Sequence, residues 1–510
     1  MFAKVNSIGL FGMNTYSVGV EASIELGLMR FDIVGLPDAS VSESRDRVRS
    51  AMKNSGFNYP STRITVNLSP ADKKKEGPVY DLPILVSLMI ASGQLRSDVS
   101  DCGFIGELSL SGEVQKINGV LPMVIHAKES GLKRMFVPYF NASESCIVDG
   151  IDIYPVKNIK DLVSHLKGGK QIQKADKKFY NEYELTNEIV FDFADVKGQY
   201  QVKRALEIAA AGGHNTLMIG PPGSGKSMLA KRIPSILPDM TFEESLETTK
   251  IFSIAGALGD NISLIKSRPF RSPHHTISAA GLSGGGRIPK PGELSLSHHG
   301  VLFLDELPEF PRASMETLRQ PLEDGQISIA RVSGTLTYPC DVMLVCAMNP
   351  CPCGYFGHPT KKCTCPSGAP AKYLSKVSGP LLDRLDIHIE VPQVDFKKLS
   401  DDAPGESSAE IKKRVNKARK IQQERLKGTG ITCNGKMTPA QTRKFCPLDR
   451  KSKDMLERSF EALGLSARAY DKILRVARTI ADLDECENIE LEHITEAVQY
   501  RSLDRKFWKE

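Results

Sequence analysis

At 510 residues the chain is too long for one hydrophobic core and divides into two to four domains on length alone. Its 41% apolar and 25% charged residues exclude a disordered or fibrous chain, and a net charge of +6 allows a polyanionic partner without requiring one. No apolar run reaches the roughly 18 residues of a membrane span, and Met1-Phe2-Ala3-Lys4-Val5-Asn6 lacks the charged-then-apolar order of a secretory leader.

Residues 1–168 alternate short extended runs with helices. Ser17–Leu26 and Arg63–Leu68 read as strands, Ser42–Asn54 as a helix capped by Ser40 or Ser42, and Leu82–Ser92 as a buried helix. Val114–Pro138 reads as strand, helix, strand. Asp38-Ala39-Ser40-Val41-Ser42 fits a D-x-S-x-S metal-adhesion pattern but has no further ligands downstream, so helix capping is its expected role. Lys73-Lys74-Lys75 reads as a solvated loop, with a nucleic-acid contact as the alternative. Glu76-Gly77-Pro78-Val79-Tyr80 and Gly112 to Leu121 resemble the proteolytic domain of the Lon family. That resemblance puts the family's serine and lysine where Val79 and Leu121 stand, and neither side chain can act in a Ser–Lys dyad. It therefore implies an α+β domain without the protease, used for assembly or substrate contact. The charged, glycine-containing stretch 169–186 reads as a linker.

Residues 187–395 carry the chemistry. A helix from Tyr200 to Ala211 ends at Gly212-Gly213. The apolar run Thr216-Leu217-Met218-Ile219 then leads into Gly220-Pro221-Pro222-Gly223-Ser224-Gly225-Lys226-Ser227, a complete G-x-x-x-x-G-K-S phosphate loop opening a helix. Its backbone N–H groups cradle nucleotide phosphates, Lys226 reaches the β- and γ-phosphates, and Ser227 holds Mg²⁺. A second buried strand, Val301–Leu304, ends in Asp305-Glu306. Asp305 is expected on Mg²⁺ and Glu306 as the base that activates water. A third, Val342–Ala347, leads into Met348-Asn349-Pro350, whose amide can polarise the γ-phosphate or the water. Arg384, in Ser378-Gly379-Pro380-Leu381-Leu382-Asp383-Arg384, is the candidate arginine finger for a neighbouring subunit.

This ordered set is the AAA+ pattern, an α/β fold whose parallel sheet lies between helices. Three further stretches narrow it: Arg268-Pro269-Phe270-Arg271-Ser272-Pro273-His274-His275, Pro291-Gly292-Glu293-Leu294-Ser295-Leu296 and Leu304-Asp305-Glu306-Leu307-Pro308-Glu309. They resemble the magnesium-chelatase-like ATPases of the YifB/ComM family over nearly the whole chain. The resemblance implies ATP and Mg²⁺, a homo-hexamer, and an activity on single-stranded or branched DNA, because ComM members act as branch-migration helicases in transformation. The Gly- and Ser-rich stretch Ser278 to Gly292 and the hairpin Ile327–Val332/Thr335–Tyr338 match the insertions of that clade, which would face the ring's channel. Arg287, Lys290 and Arg331 are then candidate phosphate contacts, solvated loop charge being the alternative. An ATPase that remodels a protein client, and a nucleotide-binding scaffold, are the competing functions.

Eleven cysteines, an odd number with four of them close together, suit reduced thiols or a metal site and an expected cytoplasmic location. Cys351, Cys353, Cys363 and Cys365 read either as a structural Zn²⁺ site or as free thiols. Residues 396–510 read as a helical lid, beginning with a charged helix from Ser407 to Lys427. A later helix from Leu465 carries an apolar face at Ile473, Leu474, Val476, Ala477, Ile480 and Ala481. Arg468 near its start matches the family's sensor-2 arginine.

Overall fold

The computed structural model describes residues 1–176, 182–183, 191–259, 262–286, 290–331, 334–394 and 405–508. Contacts gather the chain into two compact units, one of Met1–Glu184, Phe242–Lys266 and Ala330–Thr337, the other of Leu185–Thr241, Ser267–Ile329 and Tyr338–Glu510.

The first unit is built on a seven-stranded mixed sheet. Its strands are β1 (Phe2–Phe11), β2 (Asn14–Glu25), β3 (Arg30–Val34), β4 (Arg63–Ser69), β5 (Cys102–Phe104), β6 (Arg134–Pro138) and β7 (Asp152–Val156), in the order β3-β4-β2-β1-β5-β6-β7. Val18, Val20 and Ala22 on β2 and Ile64, Val66 and Leu68 on β4 are all buried, the period of two that puts one face of each strand into the core. Helix α1 (Ala39–Asn54) packs against α2 (Asp81–Ala91), and α2 and α3 (Val120–Glu129) pack on the sheet. Helix α1 starts earlier than expected, because Asp38 rather than a serine is its cap: the carboxylate accepts from Val41 N at 2.8 Å. Lys75 departs from the solvated loop expected of it. Its side chain is buried, and Nζ donates to the carbonyls of Lys73, at 2.7 Å, and Pro70. Val79 and Leu121, in the positions of the Lon-type dyad, are packed in the core.

Helix α4 (Phe242–Ala255) follows the phosphate loop in sequence yet packs in this unit. Gly119 N donates to Ser253 O at 3.0 Å, and the buried Glu144 accepts from Leu121 N at 3.3 Å, Asn141 Nδ2 at 2.6 Å and Ser253 Oγ. Burial raises the pKa of Glu144, and these three donors oppose the rise.

The second unit holds five parallel strands, β8 (Thr216–Ile219), β9 (Phe270–Arg271), β10 (Val301–Leu304), β11 (Met343–Met348) and β12 (Ile387–Glu390), in the order β9-β10-β11-β8-β12. Every residue of β8, β10 and β11 is buried, as a parallel sheet covered on both faces requires. Helix α5 (Tyr200–Gly212) ends on Gly213 in left-handed backbone at φ 67°. The carboxyl-terminal helices include α6 (Ser408–Arg425), α7 (Arg450–Leu463), α8 (Ala467–Leu483) and α9 (Leu491–Gln499). Ser407 and Glu410 form a capping box on α6, and Ser466 caps α8. Ile473, Ala477 and Ile480 of α8 and Ile494 of α9 join one core with Met218, Val345 and Ile387 of the sheet. Packing thus runs across the division expected at 396, and it assigns 242–266 differently from the linear range 187–395. Of the stretch 169–186, residues 177–181 and 184–186 lie outside the described set.

Candidate nucleotide site

Because β8, β10 and β11 are parallel neighbours, the loops that follow them emerge at one edge of the sheet. The loop after β8 is Gly220–Ser227. Gly223 and Gly225 adopt φ of 73° and 91°, and a Cβ at Gly220 would stand 2.2 Å from Val391 O, so these positions require glycine. Lys226 begins a short helix (Lys226–Ala230), and its buried Nζ donates to Gly220 O at 2.8 Å, Pro221 O at 3.0 Å and Asn349 Oδ1 at 3.1 Å. Burial lowers the Lys226 pKa, and the charge of Asp305 works against that. Ser227 Oγ donates to Asp305 Oδ2 at 2.5 Å, while Asp305 Oδ1 accepts from Glu306 N at 2.9 Å. A hydroxyl and a carboxylate oxygen on one spot suit a hard cation such as Mg²⁺.

Glu306 follows β10 in left-handed backbone at φ 53°, an uncommon conformation outside glycine. Its side chain is 59% exposed and its Oε2 lies 3.4 Å from His275 Nδ1. The structure therefore brings together the phosphate loop, Asp305, Glu306 and Asn349. Beside Glu306 and Asn349 opens a cleft of about 450 Å³, within the usual range for small-molecule sites, whose walls include Glu309, Lys372, Tyr373 and Lys376. Motif reading missed His275 as a contact of Glu306, although it stands in a stretch quoted for the family. Nothing in the spacing signalled Lys372 or Tyr373, which come from a helix (Ala369–Leu374) with no phosphate motif.

Arg384 and Arg468 are not brought to the loop. Asn215 immediately precedes β8; its side-chain amide donates to Arg384 O at 3.1 Å, and its carbonyl accepts from Asp386 N at 2.7 Å. Arg384 thus sits at the amino end of β8, about 13 Å of strand from the loop at the carboxyl end. Its guanidinium donates to Arg319 O at 3.0 Å, Pro380 O at 2.6 Å and Glu323 Oε1 at 2.5 Å. Arg468 is exposed, with its guanidinium 3.9 Å from Asp383. The two arginines therefore share a neighbourhood. They are also tied together: Lys472 of α8 pairs with Asp386 at 3.0 Å, and Asp386 meets His214 Nδ1 at 3.2 Å.

Among the candidate DNA contacts, Lys290 is exposed on a short ribbon formed by Gly284–Gly285 and Lys290–Pro291. Arg287 lies outside the described residues, and so does the side chain of Arg331, the last residue of the strand Gln326–Arg331. The sulfurs of Cys351, Cys353, Cys363 and Cys365 all lie within 4.8 Å of one another. No described helix is long and apolar enough to cross a membrane.

A five-stranded parallel sheet with a phosphate loop, an Asp-Glu pair and an asparagine on adjacent strands, packed with carboxyl-terminal helices, is an AAA+ core. The family described as magnesium chelatase, subunit ChlI, matches residues 192–399; subunit ChlI of Mg-chelatase matches 20–141; and magnesium chelatase, subunit ChlI C-terminal, matches 405–501. The protein YifB of Escherichia coli is 42% identical over 503 residues, covering 98% of this chain and 97% of its own. Competence protein ComM of Haemophilus influenzae is 42% identical over 511 residues, 99% of each chain. Lon protease 2 of Bacillus subtilis is 26% identical over 179 residues, 32% of each chain, in keeping with a Lon-like amino-terminal fold. The chain belongs to the YifB/ComM family of magnesium-chelatase-like AAA+ ATPases.

Proposed function

We propose that this chain is an ATP-hydrolysing motor that works as a homo-oligomeric ring, hexameric as the family resemblance implies, and that it drives helicase or branch-migration movement on single-stranded or branched DNA. The observation that carries the reading is the convergence of Lys226, Ser227, Asp305, Glu306 and Asn349 at one sheet edge, with Arg384 and Arg468 at the other end of β8. In this account the loop amides and Lys226 hold the phosphates. Ser227 and Asp305 would hold Mg²⁺, which when bound would neutralise phosphate charge. Glu306 takes a proton from the attacking water, and Asn349 orients the γ-phosphate or that water.

Arg384 serves the loop of a neighbouring copy, which its distance from its own loop favours. To reach phosphate it would leave Glu323, which is 54% exposed, together with the carbonyls of Arg319 and Pro380. An arginine finger supplies ~10³–10⁵ in rate, about 4–7 kcal/mol of barrier, to set against the loss of those bonds. The similarity to competence protein ComM favours DNA as the substrate of movement. The ChlI matches favour a second reading, remodelling of a protein client.

ATP turnover by the full chain with and without single-stranded and branched DNA, beside Glu306→Gln, tests the proposal. DNA-stimulated hydrolysis, lowered at least ~100-fold by the substitution, is expected. Hydrolysis indifferent to every DNA overturns the DNA reading in favour of a protein client.

A further inference from the structure

The loop from Cys351 to Cys365 directly follows Asn349-Pro350 and carries neither helix nor strand. Most of its side chains between the two cysteine pairs face solvent, so it has little apolar matter with which to pack itself. Yet its four sulfurs converge. Sγ···Sγ separations are 3.4 Å for Cys351–Cys353, 3.7 Å for Cys351–Cys363 and 3.5 Å for Cys353–Cys363. A disulfide needs about 2.0 Å, and all four cysteines are free. Four thiolates about 2.3 Å from a tetrahedral Zn²⁺ stand ~3.8 Å apart, close to these separations. Two backbone donors already face the sulfurs: Phe356 N donates to Cys351 Sγ at 3.3 Å, and Cys353 N to Cys365 Sγ at 3.4 Å. Such bonds orient ligating thiolates. His358 stands outside the cluster, its Nδ1 accepting from Thr360 N at 3.2 Å and Lys361 N at 3.1 Å.

The loop also abuts the nucleotide site. At Gly354, φ is 83° and a Cβ would come within 2.2 Å of Pro222 Cδ, so the loop backbone lies directly on the phosphate loop. Cys351, its first ligand candidate, is fully buried two residues after Asn349.

We propose that Cys351, Cys353, Cys363 and Cys365 hold one structural Zn²⁺, and that this staple braces both Asn349 and Pro222 at the nucleotide site. Four thiolates fill the coordination sphere, so the ion has no position for water or substrate and its role is to hold the loop. The bracing rests on the nucleotide reading above; the metal site does not.

The test begins with the metal content of the full chain purified without chelator. About one zinc per chain is expected, falling below ~0.1 in Cys363→Ser/Cys365→Ser. In case that variant does not fold, the wild-type chain reconstituted with Co²⁺ is expected to show thiolate-to-cobalt charge-transfer absorption and the intense visible bands of a tetrahedral site. A zinc-free native chain in which all four thiols react as free overturns the site. Stripping the zinc is expected to weaken binding of a fluorescent ATP analogue at least ~10-fold, with recovery on adding Zn²⁺ but not Mg²⁺. Unchanged affinity after stripping overturns the bracing. A zinc-loaded chain that binds no analogue overturns the nucleotide reading, and the bracing with it, while the metal count stands.

Discussion

Glu306 is held in a backbone conformation that non-glycine residues rarely adopt, and its carboxylate faces solvent with His275 as a neighbour at 3.4 Å. Strain of about 1–3 kcal/mol in such a residue persists only where surrounding structure fixes it, and here β10 and the Asp305 bond to Glu306 N do so. His275 then restricts where the carboxylate can point. His275→Ala is expected to lower kcat by about 2- to 10-fold while leaving ATP affinity unchanged, the size of one lost polar contact in the transition state. His275→Gln, which keeps a donor, is expected to recover part of the loss. Turnover measured beside binding of an ATP analogue separates this role from a general loss of folding. Lys226→Ala, by contrast, is expected to lose the binding itself.

At the scale of elements, the link between the amino end of β8 and helix α8 is a buried ion pair with a histidine attached. Burial opposes the Asp386 carboxylate, but Lys472, His214 and Arg475 outweigh it and hold its pKa well below the usual carboxylate range. The native pKa is thus below the unfolded value of about 3.9. Its stabilisation is complete above about pH 4 and is lost as the pH falls below that toward the native value. Thermal melts from pH 6 to pH 3 are expected to show this acid loss in the wild type and a shallower one in Asp386→Asn. Asp386→Ala leaves Lys472 and His214 buried without an anion and is expected to cost about 3–5 kcal/mol in denaturant unfolding.

These elements also mark what a sequence discloses. The phosphate loop, the Asp-Glu pair after Val301–Leu304 and the apolar face of α8 were legible because each is a local pattern with a local cause. The serine caps expected for α1 gave way to Asp38, because the helix begins at Ala39 and takes Ser40 and Ser42 inside it. The burial of Lys75, the packing of α4 beside α3, and the Asp386–Lys472 tie were not legible. Each depends on a partner distant in the chain or on carbonyls that only the folded loop presents.

For the whole molecule, the placement of the arginines suits the proposed assembly. Arg384 and Arg468 lie around the amino end of β8, while the loop they are proposed to serve lies at the carboxyl end. On the proposed reading, one chain would carry the two halves of a shared site on opposite ends of β8, as a head-to-tail interface between copies requires. The tie through Asp386 and Lys472 would make the finger segment and α8 move as one body, which passes a change at one subunit's nucleotide to its neighbour.

The most direct test of a shared site is steady-state ATP hydrolysis, in the presence of stimulating DNA, by Lys226→Ala, by Arg384→Ala, and by their equimolar mixture. Each variant alone is expected to be nearly inactive. The mixture is expected to regain activity, because about one interface in four pairs an intact loop with an intact finger. Wild-type turnover by Arg384→Ala alone, or a mixture no more active than its components, would contradict the account.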